Sequence, residues 1–290
     1  MIRAFRWVGV GAGIAAAVAL VACALAWLYS ESVIERHYPL LSMDVPVSDK
    51  PGIVAHGRHL ATLMGCRDCH GTALAGKPMV LADGFEIHAS NLTRSVRTLS
   101  DEEFARAMRD GLAPDGKSLW AMPSQDYTYI SVADAAAIIG YVHSLPLAGA
   151  PTPPVRFTRR DRLAIVEGTL EPTAIHVQDA TASLDLGPRY EGGRYIARTS
   201  CGQCHGVDLS GTPDRATPDL AVVGRYALRD FFALLREGRA PDTHSTPAMH
   251  ALATSRFYEF KDYEVMALYD YLSARAQALP PAQSPAKTSH

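Results

Sequence analysis

Two short stretches set cysteine, cysteine and histidine in one order: Gly65-Cys66-Arg67-Asp68-Cys69-His70-Gly71 and Cys201-Gly202-Gln203-Cys204-His205-Gly206. Thiols three positions apart present two sulfurs on one turn of chain, and the imidazole that follows lies beneath whatever they hold. A C-x-x-C-H run is the attachment signature of c-type haem: the thiols add to the two porphyrin vinyl groups and the histidine ligates the iron. Disulfides, or a single four-cysteine zinc site, are the alternatives for two C-x-x-C pairs, and neither gives the histidines a role. The order predicts two covalently bound haem c groups, one at Cys66 and Cys69 with His70 on the iron, the other at Cys201 and Cys204 with His205.

A second axial ligand is expected in each half, and an internal repeat shows where. Gly57-Arg58-His59-Leu60-Ala61 matches Gly193-Arg194-Tyr195-Ile196-Ala197, and Leu74-Ala75-Gly76 matches Leu209-Ser210-Gly211. Further on, Arg109 to Pro114 matches Arg236 to Pro241, and in that register Met122 of A-M-P faces Met249 of A-M-H. A thioether on a Pro-rich loop suits a distal iron ligand, so Met122 and Met249 are the candidates, with His244 and His250 as alternatives to Met249. Met64, Met79, Met108 and Met266 read as core filler. His56, His59, His88, His143 and His176 have no counterpart at a matching repeat position and read as surface groups.

The elements that must position these residues are helical. Ser100-Asp101-Glu102-Glu103 is a capping box opening a helix that reaches Arg109 and stops at Gly111, and Ser131-Val132-Ala133-Asp134 opens another that ends before Pro146. In the second half Leu228, Phe231 and Leu235, then Val265, Leu268 and Leu272, recur at helical spacing. No strand-period run competes, so the fold class expected is all-α, with one haem domain over 50–147 and another over 188–279. Between them 148–187, with P-T-P-P at Pro151 to Pro154 and one short helix near Leu163 to Glu167, reads as a linker. The tail 280–290 reads as disordered.

Residues 1–30 read as a transmembrane anchor, because Val8 to Tyr29 is uncharged and long enough for a bilayer core of about 30 Å. Arg3 and Arg6 precede it while Glu31 and Glu35 follow, which places the short N-terminus in the cytoplasm and the bulk of the chain outside. A cleaved signal peptide, or a lipoprotein leader ending at Leu20-Val21-Ala22-Cys23, gives the same export. The anchor is preferred because Ala24 to Tyr29 stays apolar and Trp7, Trp27 and Tyr29 sit where interfacial aromatics belong. Across 290 residues with a net charge of -2 there is no basic footprint for nucleic acid, and 48% hydrophobic content suffices for two cores of roughly 100 residues each.

Gly57 to Gly76, Asn91-Leu92-Thr93, Arg109 to Pro114, Ala121-Met122-Pro123, the helix ending at Pro146 and their second-half counterparts together resemble the membrane-anchored, multihaem cytochrome c subunits that accompany periplasmic dehydrogenases. The likeness covers most of the chain beyond residue 50. This chain carries two haem motifs where many relatives have three. The resemblance implies tandem cytochrome c domains, with Met122 and Met249 axial opposite His70 and His205. It also implies single-electron relay at the bacterial inner membrane, the haem domains lying in the periplasm. A periplasmic dehydrogenase is the implied donor, and a soluble cytochrome, the quinone pool or a terminal oxidase the acceptor. An autonomous dihaem enzyme, a peroxidase or a thiosulfate oxidiser, is the competing expectation. It needs an open iron or a cysteine ligand, and no cysteine remains beyond the motifs and Cys23.

Overall fold

The structure is a computed structural model that describes residues 2–81, 84–180, 182–212, 217–241 and 247–279. The tail expected to be disordered and His244 lie outside these residues. Helix α1 (Ile2–Ile34) opens the chain. Within it Val10–Ile34 has a mean hydropathy of 2.2 over 25 residues, long and apolar enough to cross a membrane. It continues past residue 30, the expected end of the anchor, because its last turns are packed: Ser30 and Val33 are buried.

The first half follows as α2 (Pro51–Leu63), α3 (Cys66–His70), a hairpin of β1 (Lys77–Val80) and β2 (Glu86–Ala89), then α4 (Leu92–Thr98), α5 (Asp101–Asp110), α6 (Ser124–Tyr127) and α7 (Val132–Ser144). The caps act as their sequences require. Ser100 and Glu103 close a reciprocal box at the start of α5, and Ser131 accepts from the Asp134 amide at the start of α7. The hairpin, which pairs Lys77 with Ala89 and Val80 with Glu86, departs from the all-helical expectation. Its strands are four residues each, too short for an alternating pattern to show.

The second half comprises α10 (Glu191–Ile196), a π turn over Ala197–Cys201, α11 (Gly202–His205), α12 (Leu228–Glu237), α13 (Pro247–Ser255) and α14 (Asp262–Ala278), preceded by α8 (Arg159–Glu167) and α9 (Thr173–Asp179). In each half one glycine permits the central helix crossing. A Cβ on Gly57 would overlap the Ala137 carbonyl where α2 meets α7, and a Cβ on Gly193 would overlap the Ala267 carbonyl where α10 meets α14. Each half encloses its own core, around Leu60, Phe104 and Ile138 in the first and around Leu209, Phe231 and Leu272 in the second.

Residues 148–187, expected as a linker with one short helix, carry two helices and contribute to a core. Besides α8 and α9 they supply Ile165 and Leu170 to a third core with Val33, Phe85 and Trp120. Arg162 of α8 clamps the end of α1: its guanidinium lies 3.8 Å from the Trp27 ring, donates to Ser30 Oγ at 3.0 Å and pairs with Glu31 at 2.7 Å. The apolar residues of this stretch are few and not periodic, so they gain meaning only against α1 and the hairpin.

Candidate functional site

Each C-x-x-C-H run forms a short helix with the histidine at its end, and the loop that follows makes the same pair of backbone bonds in both halves. The Gly76 amide donates to the His70 carbonyl at 2.8 Å and the Leu92 amide to the Leu74 carbonyl at 2.9 Å; Gly211 to His205 at 2.8 Å and Leu220 to Leu209 at 3.0 Å repeat the pattern. Leu74 and Leu209 take φ of 54° and 66° although neither is glycine, and both side chains are fully buried. A left-handed leucine costs on the order of 1–3 kcal/mol, so the same strain is held at the same point twice.

These loops aim the histidines. Nδ1 of His70 donates to the Ser90 carbonyl at 2.7 Å, and Nδ1 of His205 to the Pro218 carbonyl at 2.8 Å. A carbonyl only accepts, so Nδ1 carries the proton and Nε2 keeps its lone pair. Burial lowers both imidazoles below the ordinary 6.5, against a smaller upward pull from those bonds, and holds them neutral as a metal ligand must be. Burial also pushes the Cys66 and Cys201 thiols up to about 12, with the Arg256 charge opposing it at both. Protonated thiols of this kind are poor free nucleophiles. All five cysteines are unpaired, and among the described residues no three His, Cys, Asp or Glu side chains converge as a metal cluster.

In the second half Cys201, Cys204, His205 and Met249 line one cavity of about 420 Å³, whose remaining wall is largely apolar and includes Leu220, Phe231 and Leu235. Met249 stands in the first turn of α13 rather than on the loop expected for it. His250, weighed against it, points elsewhere: it is exposed and its Nδ1 meets the Glu237 carbonyl at 3.1 Å. In the first half Cys66 and Met122 pack against the same core, with His70 buried nearby in sequence at the end of α3. Met122 sits on irregular chain before α6, as a loop ligand would.

Several residues read as bystanders turn out to join the halves. His59, expected at the surface, is buried and its Nε2 donates to Glu264 of α14 at 2.9 Å. The residue matching it in the repeat, Tyr195, donates to Asp134 of α7 at 2.5 Å, so the two contacts cross the junction in opposite directions. His56 completes the second at 2.7 Å from Asp134. The repeat alignment pairs His59 with Tyr195 and was the available signal, since both are polar at the same helical position. Of the methionines assigned to packing, Met64 and Met108 are buried, whereas Met266 is exposed and Met79 lies on β1.

The chain matches no family model. Over 282 aligned residues it is 23% identical to the fructose dehydrogenase cytochrome subunit of Gluconobacter japonicus, a likeness covering 84% of this chain and 57% of that protein. The chain therefore spans little more than half the length of the curated relative it matches.

Proposed function

We propose that this chain is an electron-transfer subunit carrying two haem c groups, which passes single electrons from a periplasmic dehydrogenase to the respiratory chain and is not itself an enzyme. The observation that carries the reading is the convergence of Cys201, Cys204, His205 and Met249 on one apolar cavity with Nε2 of the histidine unprotonated. That donor set fits a haem: two sulfurs for attachment, one imidazole and one thioether for the iron, and an apolar wall around the ring. Cys66, Cys69, His70 and Met122 are the equivalent set of the first half. Bound there, haem supplies one-electron redox chemistry, and ligation by both histidine and methionine leaves no open position for a substrate.

The protein's own part is to orient the imidazoles through Ser90 and Pro218, to exclude water and to hold the thioethers in place. On this reading 50–147 and 188–279 are tandem cytochrome c domains, and α1 anchors them to the bacterial inner membrane with both domains in the periplasm. The likeness to a dehydrogenase's cytochrome subunit supports a dehydrogenase as donor. A soluble cytochrome, the quinone pool or a terminal oxidase is then the acceptor.

Intact mass of the matured protein, extracted with acid and acetone, should exceed the polypeptide mass by two haems. Replacing Met122 or Met249 by alanine should let one haem per molecule bind carbon monoxide, while the unmodified protein binds none and turns over neither peroxide nor thiosulfate. Fewer than two haems, or turnover by the unmodified protein, would sink the proposal.

A further inference from the structure

Arg256 follows α13 and is 9% exposed, yet it belongs to both halves. Its side chain lines the cavity that holds Cys201, His205 and Met249. Its head reaches the other motif: Nε donates to Asp68 Oδ2 at 2.6 Å, and Nη2 forms a still closer ion pair with that carboxylate, which stands between Cys66 and Cys69. The guanidinium occupies the space above Gly65 that any Cβ would need, at a φ of 74° that already favours glycine. From the opposite side Gln203, inside the second motif, donates to the Met64 carbonyl at 3.1 Å and also meets the Tyr127 hydroxyl. Each motif turn is thus tied to the other half by its own internal residue, Asp68 in one and Gln203 in the other.

We propose that Arg256 is a positioning residue shared by the two redox sites, pinning the first C-x-x-C-H turn to the second half and holding one positive charge beside both. The inference rests on the haem reading above. Each one-electron reduction lowers the net charge of its site by one, so a fixed positive charge within reach stabilises the reduced form and raises the potential. The guanidinium is buried, so salt screens it less than a surface charge. Asp68 offsets part of the charge toward the first site.

Spectroelectrochemical titration of the purified full chain in detergent tests this. Arg256→Gln should lower both midpoint potentials, and Arg256→Lys, which keeps the charge but not the forked pairing, should recover part of the loss. Asp68→Asn should shift potentials the opposite way, upward, and most at the first site. Unchanged potentials in Arg256→Gln, or a shift confined to one haem, overturn the proposal. If Arg256→Gln yields no folded protein, Asp68→Asn decides: an upward shift at both haems supports the shared charge, and no shift or a shift at the first haem alone overturns it. Unmodified protein with fewer than two haems removes the haem reading and this inference together, whereas two haems with unmoved potentials remove this inference alone.

Discussion

In the first half the carbonyl that orients the histidine comes from Ser90, 20 residues beyond His70 and after a β-hairpin, whereas in the second half Pro218 supplies it only 13 residues beyond His205. An isolated bridge between Thr212 and Thr217 stands where the hairpin would be. The bonds that matter end within 0.1 Å of each other, at 2.7 and 2.8 Å. What is held constant is the imidazole and the buried left-handed leucine after it; the length of chain from there to the carbonyl is free to vary. The two methionines diverge further, with Met122 on irregular chain and Met249 on a helix. Proximal geometry needs one rotamer and one tautomer, while a flexible thioether can be delivered from either kind of backbone.

The strongest way to break this comparison is to empty one site. Replacing Cys201 and Cys204 by serine should leave one haem per chain, and a cavity of about 420 Å³ without covalently held contents. Water entering that space would wet its apolar wall, and the lost burial should take a large share of the second half's stability. Haemochrome absorbance should halve and limited proteolysis should cut within 188–279 while sparing 50–147. A protease-resistant second half would show that its core stands without the cofactor.

A smaller effect is expected at the helix crossings. Gly57→Ala and Gly193→Ala each force a Cβ against a backbone carbonyl. Each should cost about 2 kcal/mol, as overpacking does, and the two losses should be similar if the crossings are equivalent. Thermal unfolding followed by circular dichroism measures both, and a loss in only one would limit the equivalence to the motif loops.

The crossed contacts at the junction should separate by pH. Burial alone would raise the Glu264 carboxyl, but hydrogen bonds from His59 and the Lys261 amide outweigh it and bring it below the ordinary 4.5. A carboxyl lowered on folding adds stability that is present above about 4.5 and lost as pH falls through the folded value. Glu264→Gln should therefore flatten the acid limb of stability. Burial, reinforced by Asp134, instead pushes the Tyr195 hydroxyl up, so it stays protonated throughout the physiological range. Tyr195→Phe should cost about 1 kcal/mol at every pH from 4 to 8, the usual value of one hydrogen bond. Denaturant titrations across that range check both, and an acid limb unaltered by Glu264→Gln would assign the junction's pH response elsewhere.

The sequence alone determined whatever depends on neighbours a few residues apart. The C-x-x-C-H order, the capping box at Ser100, the stop at Gly111 and the apolar run of α1 are all local patterns, and each appears where its spacing places it. Only the tertiary structure decided which half each polar residue serves. Asp68 and Arg256 stand 188 positions apart, and His59 and Glu264 205. A contact across that span leaves no periodicity, cap or turn to read. The third core at α1 and α8 was hidden for the same reason: Val33, Phe85, Trp120 and Ile165 are unremarkable one by one, and burial makes them a cluster only after the chain has brought distant segments together.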